Sequence, residues 1–375
     1  MRIVIEADAI VAEKMSGIGH ATLEMIRALS IQLIGTNDEL IIVVPFGTKK
    51  RVLEYDLKRV TIRQLPPLYR YVNYALTRTL LPIPMDLLYG RGTYIFPNYK
   101  NWYVPFSQSL TFVHDVAFKI LPGTTNPKNL IYLNANFSRW LKRTSTIIAI
   151  SDESSREIAT YFPEYAHKIK KIYLGIDEQV FYKRKSSELK AVLKKYAIKR
   201  NFFVYVGNIE PRKNLVTLMD AYREYKDTTK DDAQLVIIGG DGWKNEKTIE
   251  HMKKLVSEGY DIHRPSKYVE DSDLPAIYSG CRSLVHIAFH EGFGLSLVQA
   301  QACGASIIAS DLPVFRETLV KEKLFTVHNP RDVHEVALKM QEARMVSREG
   351  TFYRSELTWT NTAKNLLLVA SMSGR

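Results

Sequence analysis

Short β-branched runs alternate with longer stretches of helical period along this chain, and that alternation constrains the fold more than any other feature. "RIVIEA" is followed by an amphipathic stretch from His20 to Leu33, then by "LIIVVPF", "SLTFVHD" and "TIIAIS". The pattern is that of parallel βα units. A charged, poorly patterned segment from Tyr182 to Arg200, "YKRKSSELKAVLKKYAIKR", separates this series from a second one. There "NFFVYVGN", "AQLVIIGG", "SLVHIA" and "ASIIAS" read as strands, and the apolar periods after Asn214 and after Gly294 read as helices. Two doubly wound α/β domains joined by a linker follow, with a ligand expected at the carboxyl ends of the strands, in the cleft between the domains. A length of 375 residues agrees, because it exceeds one ordinary core and suits two domains of roughly 150 to 200 residues. Near the C-terminus, "LTWTNTAKNLLLVA" has a helical period with Thr358 or Thr360 as the cap, and periodicity alone leaves its role open.

The N-terminus alternates and carries charge early, so it reads as a first strand and not as a signal peptide. No run of about 18 uncharged apolar residues argues for a membrane span. The two cysteines, Cys281 and Cys303, lie in apolar or small-residue segments without metal-ligand spacing, and read as buried thiols in a reducing cytosol. The net charge of +12 is uneven: residues 51 to 150 hold thirteen Lys/Arg against four acids, which is +9 of the total. Interleaved aromatics, as in "RQLPPLYRYVNYALTRTLLPIP", suit an anionic membrane surface, or else mark a solvated basic face. No nucleic-acid signature accompanies the charge, so nucleic acid is not the expected partner.

Four stretches carry candidate chemistry. Ser16-Gly17-Ile18-Gly19-His20 precedes a helix, whose backbone N–H groups are suited to an anion, although Thr22 and the distance from the strand break the dinucleotide fingerprint and a structural turn remains an alternative. Glu210-Pro211-Arg212-Lys213-Asn214 directly follows the first strand of the second series and presents two adjacent cations where a diphosphate needs a guanidinium fork and an ammonium. In "HEGFGLSLVQAQACG", Gly292 and Gly294 permit close backbone approach, Leu295 begins a helix and Gly304 ends it in the left-handed conformation. Glu291 lies just before the exposed amides and suits a neutral polyol such as a sugar ring, or else caps the helix; Gln299 sits one turn inside. His114-Asp115 ends a strand of the first series, where a histidine is either functional or structural.

Together these residues resemble the family 4 glycosyltransferases, retaining enzymes of the GT-B fold, two Rossmann-like domains facing each other across a cleft. The similarity covers nearly the whole chain. It includes "SGIGHATLEMIRAL", "TFVHDVAF", "YLGIDEQVF", "VGNIEPRKNL", "IIGGDGW" and "KYVEDSDLPAIYSGCRSLVHIAFHEGFGLSLVQAQACG", with the Arg-Lys-Asn and Glu-Gly-Phe-Gly segments the most specific. The likeness is to bacterial mannosyl- and hexosyltransferases of cell-surface polysaccharide assembly. It implies an acceptor-binding domain over residues 1–182, a nucleotide-sugar-binding domain over 183–355, and a helix over 356–375 crossing back to the first.

By the same resemblance, Arg212 and Lys213 hold the donor's diphosphate, with amides in the Gly292-Phe293-Gly294-Leu295 turn completing that site. Glu291 contacts donor sugar hydroxyls, Gln299 meets the ribose, and the backbone at Tyr268 and Val269 flanks the base. Gly17 and Gly19 close over the phosphates, and His114 lies by the sugar's reactive end. No metal or cofactor is implied, because the two cations act at the leaving diphosphate. Retention by same-face departure and attack, a saccharide or polyprenyl- or glycolipid-linked acceptor, and a cytoplasmic protein peripheral to the inner face of the cell membrane are the further expectations. Two positions depart from the family pattern: Gln299 stands where a second glutamate is usual, and Asn208 where an arginine is often found. A sugar-nucleotide epimerase and a non-catalytic sugar-nucleotide-binding subunit are the alternatives.

Overall fold

The computed structural model describes residues 1–13, 15–69, 82–344, 350 and 352–372. Most of the aromatic basic stretch singled out above, residues 70–81, lies outside them. Packing divides the chain into a first unit of Met1–Val116, Ile131–Gly175 and Glu356–Arg375, and a second of Ala117–Leu130 and Ile176–Ser355.

The first unit is built on seven parallel strands: β1 (Arg2–Glu6), β2 (Glu39–Val44), β3 (Val60–Gln64), β4 (Thr93–Phe96), β5 (Gln108–Val113), β6 (Thr146–Ala149) and β7 (Ile169–Lys171). Their order is β3-β2-β1-β4-β5-β6-β7. Ile3, Val4 and Ile5 of β1 have no exposed surface. A strand buried on both faces is what a doubly wound parallel sheet requires, and each such side chain contributes roughly 1.5 to 3 kcal/mol. Ser16 caps helix α1 (Gly17–Gln32), its hydroxyl accepting the Gly19 N–H at 3.3 Å.

The C-terminal helix Trp359–Met372 packs on α1, within this unit. Its start is capped by Thr358, which accepts the Asn361 N–H at 3.3 Å. Gly175 lets the backbones meet there: a Cβ at that position would stand 2.1 Å from the Trp359 nitrogen. The Thr362 hydroxyl donates to the Tyr173 carbonyl at 2.8 Å.

The second unit has six parallel strands: β8 (Phe202–Val206), β9 (Gln234–Ile238), β10 (Ile262–His263), β11 (Ser283–His286), β12 (Ser306–Ser310) and β13 (Leu324–Val327). The order β10-β9-β8-β11-β12-β13 is that of a Rossmann sheet, with the direction of winding reversing between β8 and β11. Both units thus have the doubly wound architecture that the alternation implies.

The segment read as a linker is a correction. Residues Ser186–Lys195 form helix α2, whose first turn is tied by the Lys185 N–H donating to the Glu188 carboxylate at 2.9 Å. Leu189, Val192, Leu193 and Tyr196 recur at helical spacing beneath the lysines, and Leu193 and Tyr196 are buried. Helix α3 (Leu215–Thr229) follows β8, and helix α4 (Leu295–Ala302) follows β11. Among the described residues, no helix is long and apolar enough to cross a membrane. Cys281 and Cys303 are both buried.

Candidate functional site

The loops that leave β8 and β11 begin at the point where the winding of the second sheet reverses, and a parallel sheet opens a crevice there. After β8 the chain passes Gly207 and Asn208 and makes a single 3-10 turn, Pro211–Lys213, that ends at Asn214 in the left-handed conformation (φ 57°). Proline sets the turn and Asn tolerates the positive φ, so the sequence dictates that two cations stand together at the strand's end. The loop after β11 runs alongside, joined by the Phe289 N–H donating to the Arg212 carbonyl at 2.9 Å.

These two loops bring Arg212, Lys213 and Glu291 into direct contact. The Lys213 ammonium donates to Glu291 Oε1, and the Arg212 guanidinium to Glu291 Oε2 at 3.2 Å. Arg212 also donates to Glu210 at 2.8 Å and to the His290 carbonyl. Glu210 is 3% exposed and Glu291 and Lys213 are each 11% exposed, so these are ion pairs of the interior. Burial lowers the Lys213 pKa, as does neighbouring Arg212, against the pull of Glu291. Burial alone would raise the Glu291 pKa, but Lys213, Arg212 and a hydrogen bond from His286 overcome it and hold the carboxyl well below its usual range. Two acids and two bases leave the cluster near neutrality, its cations held in position by carboxylates.

Glu291 does not cap the helix. The cap residue of α4 is Gly294, in the left-handed conformation (φ 83°), with no side chain bonded to the first turn. A Cβ on Gly294 would stand 2.7 Å from the Phe315 ring, so glycine is required on both counts. The N–H groups of Gly294, Leu295 and Ser296 have no hydrogen-bond partner among the described residues. The far end closes as the motif implies: Gly304 (φ 83°) follows the cap, with Ala305 N–H bonded to Ala300 O at 3.0 Å and Gly304 N–H to Gln301 O at 2.9 Å. Open amides at a helix start, three residues after the Glu291 that binds two buried cations, are suited to an anion.

Other expected residues fall into place unequally. Gln299 is half-buried on α4 and its side chain has no hydrogen-bond partner among the described residues. Gly292 and Phe293 are buried, the Phe293 carbonyl accepting the Thr318 hydroxyl at 3.2 Å. Asn208 is exposed, and its carbonyl takes the Tyr205 hydroxyl at 2.9 Å. Tyr268, half exposed, and Val269, buried, follow the edge strand β10, two strand spacings, or about 10 Å, from β8.

In the first unit, Gly17 and Gly19 do different things. A Cβ on Gly17 would meet nothing, whereas one on Gly19 would stand 2.4 Å from Met15 and 2.7 Å from the Ala9 carbonyl. Gly17 is the open position of the turn, and Gly19 is there for close packing. His114 places Nε2 2.7 Å from the Pro97 carbonyl, as a donor, and its own carbonyl accepts the Ser154 hydroxyl. Burial lowers the His114 pKa, so the ring is neutral at pH 7.

Sequence reasoning passed over Glu210 and His286. Glu210 stood in the motif beside the two cations, and His286 ends β11 as His114 ends β5, so the strand-end rule already pointed to it. It also passed over Glu6, at the carboxyl end of β1, where the winding of the first sheet reverses. Burial, with Asp8 beside it, pushes the Glu6 carboxyl up to about 8, against the pull of Lys100. A group whose pKa is raised on folding gives stability that is complete below its ordinary 4.5 and lost as pH rises through about 8. Glu6→Gln, which mimics the protonated form, is therefore expected to match the wild type in melting temperature near pH 4.5 and to exceed it at pH 8 to 9. An unchanged difference across that range would refute the assignment.

The second unit is, by its geometry, a Rossmann-like unit with a buried cluster of two cations at its winding reversal. Residues 179–344 match the model of the family described as glycosyl transferases group 1. The O-antigen chain mannosyltransferase B of Escherichia coli is 27% identical over 271 residues, 70% of this chain and 70% of that one. The O-antigen chain mannosyltransferase RfbU of Salmonella typhimurium is 26% identical over 269 residues, 70% of this chain and 67% of that one. The solved structure of HepE from Anabaena, in complex with UDP and glucose, superposes with a TM-score of 0.65 over 99% of this chain and 95% of its own, at 15% identity. Residues 179–344, within the second unit, thus match the glycosyl transferases group 1 family, and the chain has the GT-B fold.

Proposed function

We propose that this protein moves a hexose, with retention of configuration, from a nucleoside-diphosphate sugar to a saccharide or lipid-linked saccharide during cell-surface polysaccharide assembly. The observation that carries the reading is the pair of buried cations, Arg212 and Lys213, held by Glu291 beside the open amides of α4. The names of the relatives favour mannose as the sugar and O-antigen-type polysaccharide as the product, which makes GDP-mannose the first donor to test and UDP-hexoses the second.

In this reading the diphosphate enters at Arg212, Lys213 and the amides, drawing the cations away from Glu291, which then receives sugar hydroxyls. The bond from the anomeric carbon to the phosphate oxygen breaks as negative charge grows on the diphosphate, and the two cations and the helix amides stabilise that charge without a metal ion. The acceptor oxygen attacks from the same face, and its proton passes to the departing phosphate oxygen. Gln299 lies one turn along α4 as the ribose contact. A neutral amide binds a hydroxyl more weakly than a carboxylate does, by about 1 kcal/mol.

The acceptor is proposed to be met at an anionic membrane surface. Support comes from the basic excess of residues 51 to 150 and from Ile131, Tyr132, Arg139 and Lys142, all exposed on the helix Pro127–Arg143. Binding to anionic vesicles that weakens as salt rises is expected. The test of the donor is a thermal-shift panel of nucleoside-diphosphate sugars. A donor that binds only the folded state raises the melting temperature, by an amount set by its affinity. GDP-mannose is expected to give the largest rise, undiminished by EDTA, and the product formed from it to be the α-anomer. A β-linked product would overturn retention, and a panel without any rise would overturn the donor site.

A further inference from the structure

Glu291 receives three donors, and two of them, Arg212 and Lys213, are the groups a diphosphate would take. The third is His286, whose Nε2 lies 2.7 Å from Glu291 Oε1. His286 is the last residue of β11 and its side chain is 2% exposed. Its ring lies parallel to Tyr205 of β8, with centroids 5.7 Å apart, and edge-on to Phe315 at 6.0 Å. The imidazole is thus packed by aromatic rings on two sides.

Chemistry also decides which nitrogen carries the proton. A lone pair on Nε2 would face the carboxylate oxygen, whereas an N–H there donates to it, so the Nε2–H tautomer is the one this geometry accepts. Nδ1, without a hydrogen-bond partner among the described residues, is then the bare nitrogen. Burial, with the charges of Lys213 and Arg212, opposes a second proton and outweighs the pull of Glu291.

We propose that His286 is a positioning residue of the donor site: its Nε2–H holds Glu291 towards the donor sugar when Arg212 and Lys213 turn to the diphosphate. The inference rests on the donor-site reading above. Without this bond the carboxylate either follows the cations towards the phosphates or loses its orientation. In both cases the sugar is held less well in the transition state, while the diphosphate still binds.

The test compares His286→Phe, which keeps the ring packing but not the donor, with His286→Gln, which restores an N–H. With GDP-mannose or whichever donor gives the thermal shift, His286→Phe is expected to lower kcat about 10- to 100-fold, the loss of one charge-assisted hydrogen bond. Donor KM should change less than about 3-fold, and His286→Gln should recover most of kcat. In a Glu291→Gln background His286→Phe should have little further effect, since its partner is already altered. If His286→Phe does not fold, His286→Asn, whose amide falls short of Glu291, is expected to show the same loss. A folded His286→Phe enzyme with wild-type kcat overturns the proposal, and so does a loss that His286→Gln does not recover or that adds fully to that of Glu291→Gln. A wild type whose melting temperature no nucleoside-diphosphate sugar raises overturns the donor-site reading itself, and the role of His286 with it.

Discussion

Lys213→Ala is expected to lower kcat/KM for sugar transfer by about 10²- to 10³-fold while the protein remains folded. A preorganised donor aimed at charge that grows in the transition state is worth roughly 3 to 4 kcal/mol, and in the proposed function Lys213 is such a group at the departing diphosphate. The expectation of a folded variant comes from the cluster itself. Removing one member of a buried ion pair is severe when it strands the other, at about 3 to 5 kcal/mol. Glu291 is not stranded, because Arg212 at 3.2 Å and His286 at 2.7 Å still donate to it. The measurement is steady-state transfer, alongside a thermal melt. Near-normal turnover by a folded Lys213→Ala enzyme would remove the ammonium from the leaving-group site and leave Arg212 and the α4 amides to account for diphosphate binding alone.

The largest effect on stability is expected at Gly239, which no functional argument involves. A Cβ there would stand 1.9 Å from the Gly207 carbonyl oxygen and 2.6 Å from its carbon, both backbone atoms, and φ is 153°, which side chains rarely adopt. Nothing can move aside cheaply. Gly207 N–H is bonded to Ile238 O at 2.9 Å and Ile209 N–H to Gly240 O at 3.0 Å, so a shift of either loop breaks the exit of β8 or of β9. Gly239→Ala should cost more than about 3 kcal/mol and lower the melting temperature of the second unit by roughly 6 to 12 °C. Gly123→Ala, where a Cβ meets nothing within 4 Å, should stay within about 0.5 kcal/mol of the wild type. Because the β8 exit leads directly to Glu210, Arg212 and Lys213, any Gly239→Ala protein that folds should also bind donor more weakly. A wild-type melt for Gly239→Ala would mean that the two strand exits are not packed as closely as they stand here.

Both predictions turn on contacts between segments remote in sequence, and this divides what the sequence shows from what it hides. The apolar strands β1, β2, β5, β6, β8, β9, β11 and β12 are legible because both of their faces are largely buried and each is rich in β-branched, aromatic or other apolar residues. The strands that escape notice, such as β10 with two residues and the half-buried edge strand β13, are too short or too mixed for a period to register. Helix α2 escapes because its lysines mask an apolar stripe only four residues strong. At the site, Arg212, Lys213, Glu291 and the glycines around α4 can be picked out because turn chemistry and charge are local properties.

The sequence by itself determined two series of βα units, the strand ends at which polar groups emerge, and the helix start that leaves its amides open. The tertiary structure alone decided that β8 and β11, far apart in the chain, lie side by side, because the order of strands is set by how buried faces pack and not by any local preference. That adjacency turns Arg212, Lys213 and Glu291 into one buried charge cluster. It also makes His286, one strand-end histidine among several, the neutral donor behind Glu291, while His114, equally conspicuous in the sequence, bonds to a backbone carbonyl instead.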